Sequence, residues 1–233
     1  MLVSVIIPSY NRYDYLVNAI QSVKNQTYQD VEIIVINDGS TDMRYYDKIP
    51  GVNIIHLKKN SQQVLGFKCG ALARNVGLRM SKGYWIAFLD DDDIWMPSKL
   101  EIQIQRMLDK KINFSFTDGY LGNGFYDSQK KYPEYNSEYY LETLRHKLEL
   151  VKFPELVNLF LIEKHNFIIT SSVVVRRDYV EKVGFMKLIP NGGMVWKGKK
   201  EWQDWDYWKR ILTLTPGLYL SEHLFYYDLK KNY

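Results

Sequence analysis

The sequence predicts an α/β protein: a mixed, mostly parallel sheet flanked by helices. Three observations carry that prediction. Short β-branched apolar runs alternate with segments of helical periodicity through the first half of the chain, and that alternation is the signature of βαβ units. Those runs end in polar clusters, as strands do where a sheet meets solvent. The composition, 46% hydrophobic and 25% charged over 233 residues, is that of an ordinary globular protein long enough for a large core.

VSVII at 3–7, closed by Pro8, is expected as the first buried strand. Leu16, Ile20 and Val23 then recur at helical spacing until Asn25. VEIIVI at 31–36 is the second strand and runs into the turn cluster Asn37, Asp38, Gly39 and Ser40. A third strand, 52–57, precedes a helix expected over 66–80, with Leu72, Val76 and Met80 on one face and Ser81, Lys82 and Gly83 as its stop. The fourth strand, 84–89, ends in Asp90, Asp91, Asp92 and Asp93. Beyond a strand at 114–117, residues 119–140 read as a loop or irregular hairpin. A helix over 154–164 with Pro154 in its first turn, a strand at 168–175, a short helix at 178–183 closed by Gly184, a helix over 201–214 and a β-like tail at 218–227 complete the expectation. No repeat or linker divides the chain, so one domain over 1–233 is expected, with a ligand-binding half at 1–118 and a second half at 119–233.

In parallel sheets, ligands bind at the carboxyl ends of the strands. That rule gathers residues 8–12, 37–42 and 90–93 around one crevice. Neighbouring carboxylates repel more strongly as the effective dielectric falls, so four at one strand end call for a cation. Hard oxygens suit Mg²⁺ or Mn²⁺, held by one or two carboxylates together with phosphate oxygens. An EF-hand calcium loop is excluded, because its third ligand position falls on Ile94 and no glycine follows. Arg74, inside a helix with apolar neighbours, brings a planar fork suited to a base or phosphate. In EWQDWDYWKR at 201–210, Trp205, Trp208 and Leu212 form an apolar face that Asp204 and Asp206 cannot both share. A carboxylate at that helix start, among aromatic walls, can gain proton affinity and act as a general base.

The totals narrow the function classes. A net charge of +4, with lysines in short groups such as Lys197, Lys199 and Lys200, is too sparse for a nucleic-acid face, so no nucleic-acid partner is expected. The basic, aromatic tail with Lys230 and Lys231 leaves weak peripheral attraction to an anionic membrane surface open. Cys69 is the sole cysteine, which excludes a disulfide framework and fits a reducing compartment. MLVSVIIPSYNR lacks the basic start and apolar length of a signal peptide, and no apolar run is long enough to span a bilayer, so a cytoplasmic location is expected. His56, His146, His165 and His223 are isolated and are read as surface or core filler.

Taken in order, SVIIPSYNR, VINDGSTD, ARNVGLRMSKGYWIAFLDDDD, SSVVVRRDYVEKVGF and QDWDYWKR resemble the inverting nucleotide-sugar glycosyltransferases of family 2, which have the Rossmann-like GT-A fold. The family's D-x-D-D motif maps onto Asp90, Asp91, Asp92 and Asp93. The resemblance implies a nucleoside-diphosphate sugar donor, a glycan or lipid-linked acceptor, and Mn²⁺ or Mg²⁺ as cofactor. It sets Asp90 and Asp91 on the nucleotide side, with Asp90 facing the ribose, and Asp92 on the metal. It places Asp38 at the uracil or ribose, and Pro8, Tyr10 and Arg12 with Arg74 around the base. The family's catalytic base is the aspartate of an E-D pair opening a late helix, which here falls on Asp204 with Gln203 where the glutamate stands in relatives. Tyr227 and Asp228 occupy the place where relatives often carry Tyr-Arg. Two other readings use the same crevice. A nucleotidyltransferase would carry a glycine-rich basic loop after its first strand, which PSYNR is not, and a non-catalytic sugar-nucleotide or glycan binding module is kept open by Gln203.

Overall fold

The computed structural model describes residues 1–145, 148, 150, 152–196 and 199–229. Lys197, Lys230, Lys231 and His146, named above, lie outside the described residues. The strands are β1 (Val3–Ser9), β2 (Val31–Asn37), β3 (Val52–His56), β4 (Trp85–Phe88), β5 (Ile94–Trp95), β6 (Phe114–Gly122), β7 (Glu134–Tyr135), β8 (Leu156–Val157), β9 (Val174–Arg176), β10 (Met194–Trp196), β11 (Lys199–Glu201) and β12 (Gly217–Asp228). The helices are α1 (Tyr13–Lys24), α2 (Ser61–Leu65), α3 (Gly70–Met80), α4 (Lys99–Lys110), α5 (Ser137–Arg145), α6 (Leu159–Lys164), α7 (Arg177–Val183) and α8 (Gln203–Leu212).

Among the described residues the main sheet runs β3-β2-β1-β4-β9-β6-β12-β5, with β7 beside β6 and β8 beside β12. Its first four strands are mutually parallel, as are β6 and β12, while β9 runs antiparallel between the two blocks. This is the mixed, mostly parallel sheet that the alternating pattern predicts. Val3, Val5, Ile6, Ile7 and the whole of β4 are buried, as strands covered on both faces must be. Hydrophobic burial of this kind is the main driving force for the fold. β10 and β11 form a separate antiparallel hairpin.

Several expectations need correction. The helix foreseen over 66–80 is two helices, because Gly66 (φ +81°) closes α2 in the left-handed conformation and α3 begins only at Gly70. Pro154 is outside any helix: Leu156 and Val157 pair with β12, and Asn158 caps α6 through its side chain. The strand foreseen at 168–175 is reduced to β9, preceded by a 3₁₀ turn over Thr170–Ser172. The helix foreseen over 201–214 is α8, with residue 201 still in β11. Helix α4 is an addition to the expected elements, although Leu100, Ile104 and Met107 bury one face at helical spacing.

Residues 119–122 belong to β6 and are not loop. A Cβ on Gly119 would lie 2.5 Å from the Phe225 ring, and one on Gly122 would lie 2.4 Å from Tyr226. These glycines therefore mark places where rings from β12 press close to the β6 backbone, not a chain break. The pairing is parallel and carries two register shifts, between Leu220 and His223 and between His223 and Tyr226, which re-aim the end of β12 toward the β4 terminus. We expect Gly119→Ala to cost about 1–3 kcal/mol of stability through overpacking against Phe225. Urea denaturation at fixed pH checks this, and an unchanged midpoint would show that the ring moves aside freely.

Candidate active site

At the end of β4, Leu89 is still buried and the chain then turns, with the Asp93 amide donating to the Asp90 carbonyl over 3.1 Å. The four side chains leave this turn in two directions. Asp91 and Asp93 point inward. Asp91 accepts from Ser9 Oγ at 2.6 Å and Arg12 Nη1 at 3.2 Å, while Asp93 accepts from Ser171 Oγ at 2.5 Å and the Asp228 amide at 3.1 Å. Asp90 and Asp92 are only partly buried, and each carries an arginine: Arg74 from α3 on Asp90, and Arg12 Nη1 at 2.5 Å on Asp92. Ser171 Oγ also accepts the Asp90 amide at 3.0 Å, so one hydroxyl fastens both ends of the turn.

Burial sets the electrostatics. It pushes the Asp91 carboxyl up to about 7, with the Asp92 charge adding and Arg12 opposing. Burial likewise raises Asp92, and it raises Asp93 well above the usual carboxylate range. Arg12 is itself positioned from behind: its amide donates to Tyr45 Oη at 2.8 Å, and that fully buried hydroxyl is 2.5 Å from Ser9 Oγ.

Beside this turn lies a cavity of about 270 Å³ whose walls include Arg74, Asp90, Asn166, Trp202, Asp204 and Tyr227. It brings Arg74, Asp90 and Asp204 together, as expected from sequence. Asp204 occupies the first turn of α8, where Oδ1 accepts the Trp205 amide at 2.8 Å and Oδ2 accepts Asn166 Nδ2 at 3.4 Å. Burial raises its pKa against those two hydrogen bonds and the Arg74 charge. Asp206 points elsewhere, to Lys187 at 2.5 Å and Arg210 at 2.9 Å. On the packing face, Trp208 is fully buried and Trp205 Nε1 donates to the Ile162 carbonyl at 2.7 Å.

Gln203 has a structural task that an amide performs and a carboxylate cannot. Its Oε1 accepts the Ala71 amide at the start of α3, while its Nε2 donates at 3.0 Å to Asn191 Oδ1, which also takes the Gly70 amide at 2.8 Å. Glu201 does not replace a missing glutamate in the cavity, since its carboxylate pairs with Lys209 at 3.0 Å. At the other departure, Asp228 is buried, its amide caps Asp93, and its Oδ1 accepts the Gly124 amide at 2.7 Å.

Pro8, Tyr10, Arg12, Asp38, Asp91 and Asp92 are outside the cavity wall. Pro8 sits in β1 opposite Ile36, and Tyr10 Oη receives Asn60 Nδ2 at 3.2 Å. The Asp38 carboxylate accepts the Ser61 amide at 3.0 Å and Ser61 Oγ at 2.8 Å, so it anchors the start of α2. Ser9 falls in the 8–12 segment expected at the crevice, whereas Tyr45, Ser171, Asn166 and Asn191 are site residues beyond the sequence expectation. Of these only Ser171 had a signal, as a hydroxyl inside the apolar run IITSSVVV.

Among the described residues no group of three His, Cys, Asp or Glu is placed to enclose a metal ion. The donor set nonetheless fits a hard divalent cation of the kind that binds through one or two carboxylates and fills its shell with phosphate oxygens. Asp92 would be the holder, with Arg12 yielding its place on that carboxylate.

The model of glycosyl transferase family 2 matches residues 4–184. Over 126 residues the chain is 40% identical to the UDP-Glc:alpha-D-GlcNAc-diphosphoundecaprenol beta-1,3-glucosyltransferase WfaP of Escherichia coli, covering 53% of this chain and 48% of that protein. The chain spans about half, or less, of the length of the first such relatives. Staphylococcus aureus TarS (residues 1–349) in complex with UDP-GlcNAc superposes with a TM-score of 0.67 at 19% identity, covering 100% of this chain and 60% of that one. The mannosyltransferase PcManGT of Pyrobaculum calidifontis, in complex with GDP-Man and Mn²⁺, gives 0.64 at 14% identity, covering 99% and 57%. At these identities the structural likeness shows a shared fold.

Arg12→Ala leaves Asp91 and Asp92 without their shared counter-charge, and we expect a loss of about 2–3 kcal/mol at neutral pH. The sign with pH follows from the raised carboxyls. The variant's folded state holds protons more tightly than its unfolded state, so its deficit grows as pH rises and shrinks in acid. Urea midpoints across pH 5 to 8 check this, and a deficit independent of pH would assign Arg12 a packing role only.

Proposed function

Because this chain belongs to glycosyl transferase family 2, we propose that it transfers a sugar from a UDP-sugar to a hydroxyl of a glycan or lipid-linked glycan acceptor, with inversion at the anomeric carbon. The observation that carries the reading is the single cavity in which Arg74, Asp90 and Asp204 meet. The name of WfaP, a glucosyltransferase using UDP-Glc and a GlcNAc-diphosphoundecaprenol, supports the choice of donor and acceptor class. TarS with UDP-GlcNAc bound supports a uridine nucleotide.

In this reading the donor half is residues 1–118 and the acceptor half is residues 119–233. Pro8, Tyr10, Arg12 and Asp38 flank the base and ribose, Asp90 faces the ribose, and Arg74 meets the diphosphate from α3. Asp91 serves the nucleotide side indirectly, by fixing Arg12. A divalent cation on Asp92, of the kind PcManGT holds as Mn²⁺, supplies Lewis-acid stabilisation of the departing diphosphate. Asp204 takes the proton of the attacking hydroxyl. Its burial suits it to that task by bringing its proton affinity closer to neutrality. Inversion follows from one displacement on the face opposite the leaving group. Among the described residues no helix is long and apolar enough to cross a membrane, and we place the lipid-linked acceptor at a peripheral membrane contact on the cytoplasmic side.

Two outcomes test this. Titration calorimetry is expected to show Mn²⁺ strengthening UDP binding to the wild-type protein, with the gain lost in Asp92→Ala; equal affinity with and without the ion removes the metal from the reading. Asp204→Asn is expected to keep UDP affinity while transfer falls by at least about 10²-fold, in line with the loss of a general base. The wild-type rate should rise with pH through a midpoint above the ordinary carboxylate value of about 3.9, because the base form is required and burial delays its appearance. The same shift fixes the sign for stability: a carboxyl with a raised folded pKa destabilises the native state above that pKa, so Asp204→Asn should melt no lower than wild type at pH 7.

A further inference from the structure

Asn166 stands beside Asp204 on the cavity wall, and only one of its two amide atoms is used. Its Nδ2 donates to Asp204 Oδ2 at 3.4 Å, whereas its Oδ1 is buried with no hydrogen-bond partner among the described residues. Turning the amide over would set its oxygen against the carboxylate, so charge fixes the orientation. A buried carbonyl left unpaired is costly, and because the Asn166 side chain lines the cavity, a small rotation would bring Oδ1, closed to solvent as it stands, to a donor on an occupant.

We propose that Asp204 and Asn166 form a two-point acceptor subsite. Asp204 receives the proton of the attacking hydroxyl, and Asn166 Oδ1 accepts a hydrogen bond from a second donor on the neighbouring carbon of the same sugar, a hydroxyl or an acetamido N–H. This deepens the glycosyltransferase reading and rests on it. As the step runs, the acceptor O–H bond breaks and its proton moves to Asp204. The freed oxygen forms its bond to the anomeric carbon, the bond from that carbon to the diphosphate oxygen breaks, and the electron pair leaves with UDP. Asn166 exchanges no proton. It selects acceptors by what lies next to the nucleophile, and through Nδ2 it favours the charged form of Asp204.

The test uses the full chain with UDP-glucose and UDP-GlcNAc as donors. The acceptors are octyl β-D-glucoside, octyl N-acetyl-β-D-glucosaminide and the monodeoxy analogues of each. Wild type is expected to lose about tenfold or more in kcat/KM on one deoxy analogue adjacent to the attacked position, since a site built to bond a hydroxyl rejects the analogue lacking it. Asn166→Ala should erase that preference, keep UDP affinity by calorimetry, and move the acid limb of the rate to higher pH. A purely structural residue would not shift that limb. Transfer by wild type with no discrimination among the deoxy analogues overturns the subsite whatever the variant does, and so does an Asn166→Ala variant that keeps the preference. Absence of transfer from either donor, or transfer persisting in Asp204→Asn, overturns the underlying reading, and the subsite falls with it.

Discussion

Four carboxylates at one strand end are the constraint around which this molecule is arranged. Packed beside one another in a poorly hydrated turn, they would repel strongly enough to undo the local structure. The fold answers with partners drawn from distant segments: Arg12 after β1, Arg74 from α3, Ser171 from the 3₁₀ turn before β9, and the Asp228 amide from β12. The division of labour is alternating. Asp91 and Asp93 are absorbed into the protein and hold the turn rigid, while Asp90 lines the cavity and Asp92 rests on Arg12 in a fixed geometry. An acidic loop that offered all four groups to solvent would be mobile and could not present two of them in register.

The same economy is visible in α8. Asp204 and Asp206 are two residues apart, yet one enters the cavity and the other ties α8 to Lys187 beyond α7, while Arg210 donates to the Val183 carbonyl at the end of α7 at 2.6 Å. Gln203 between the cavity and α3 shows how a departure from a family pattern is accommodated. An amide can accept from the helix start and donate to Asn191 at once, so the neighbourhood of Asp204 is held without a second carboxylate.

Much of this was legible in the sequence because it rests on periodicity and on the chemistry of strand ends. The buried runs of β1, β2 and β4, the sheet type, and the nearness of Arg74 to Asp90 follow from patterns a few residues long, whereas Asp204 joined them through the resemblance to a family. The losses have physical causes. Gly119 and Gly122 look like chain breakers until the rings of Phe225 and Tyr226, a hundred residues on, are seen to occupy their side-chain space. Leu156 and Val157 resemble a helix start, but pairing with β12 overrides local propensity. Asn166, Asn191 and Tyr45 enter the site through tertiary placement alone. Asp38 illustrates a subtler limit: its position at a strand end was readable, whereas its capture by Ser61 depends on where α2 begins.

The bond between Asp93 and the Asp228 amide spans 135 residues, and this has a bearing on biosynthesis. A ribosome adding about 5–20 residues per second takes on the order of ten seconds to travel from one to the other. Throughout that interval the first four strands can already associate, yet a core carboxylate lacks its cap. The nascent polypeptide therefore carries the acidic turn without its last partner until the far strand docks, so this corner of the molecule is completed only late in synthesis.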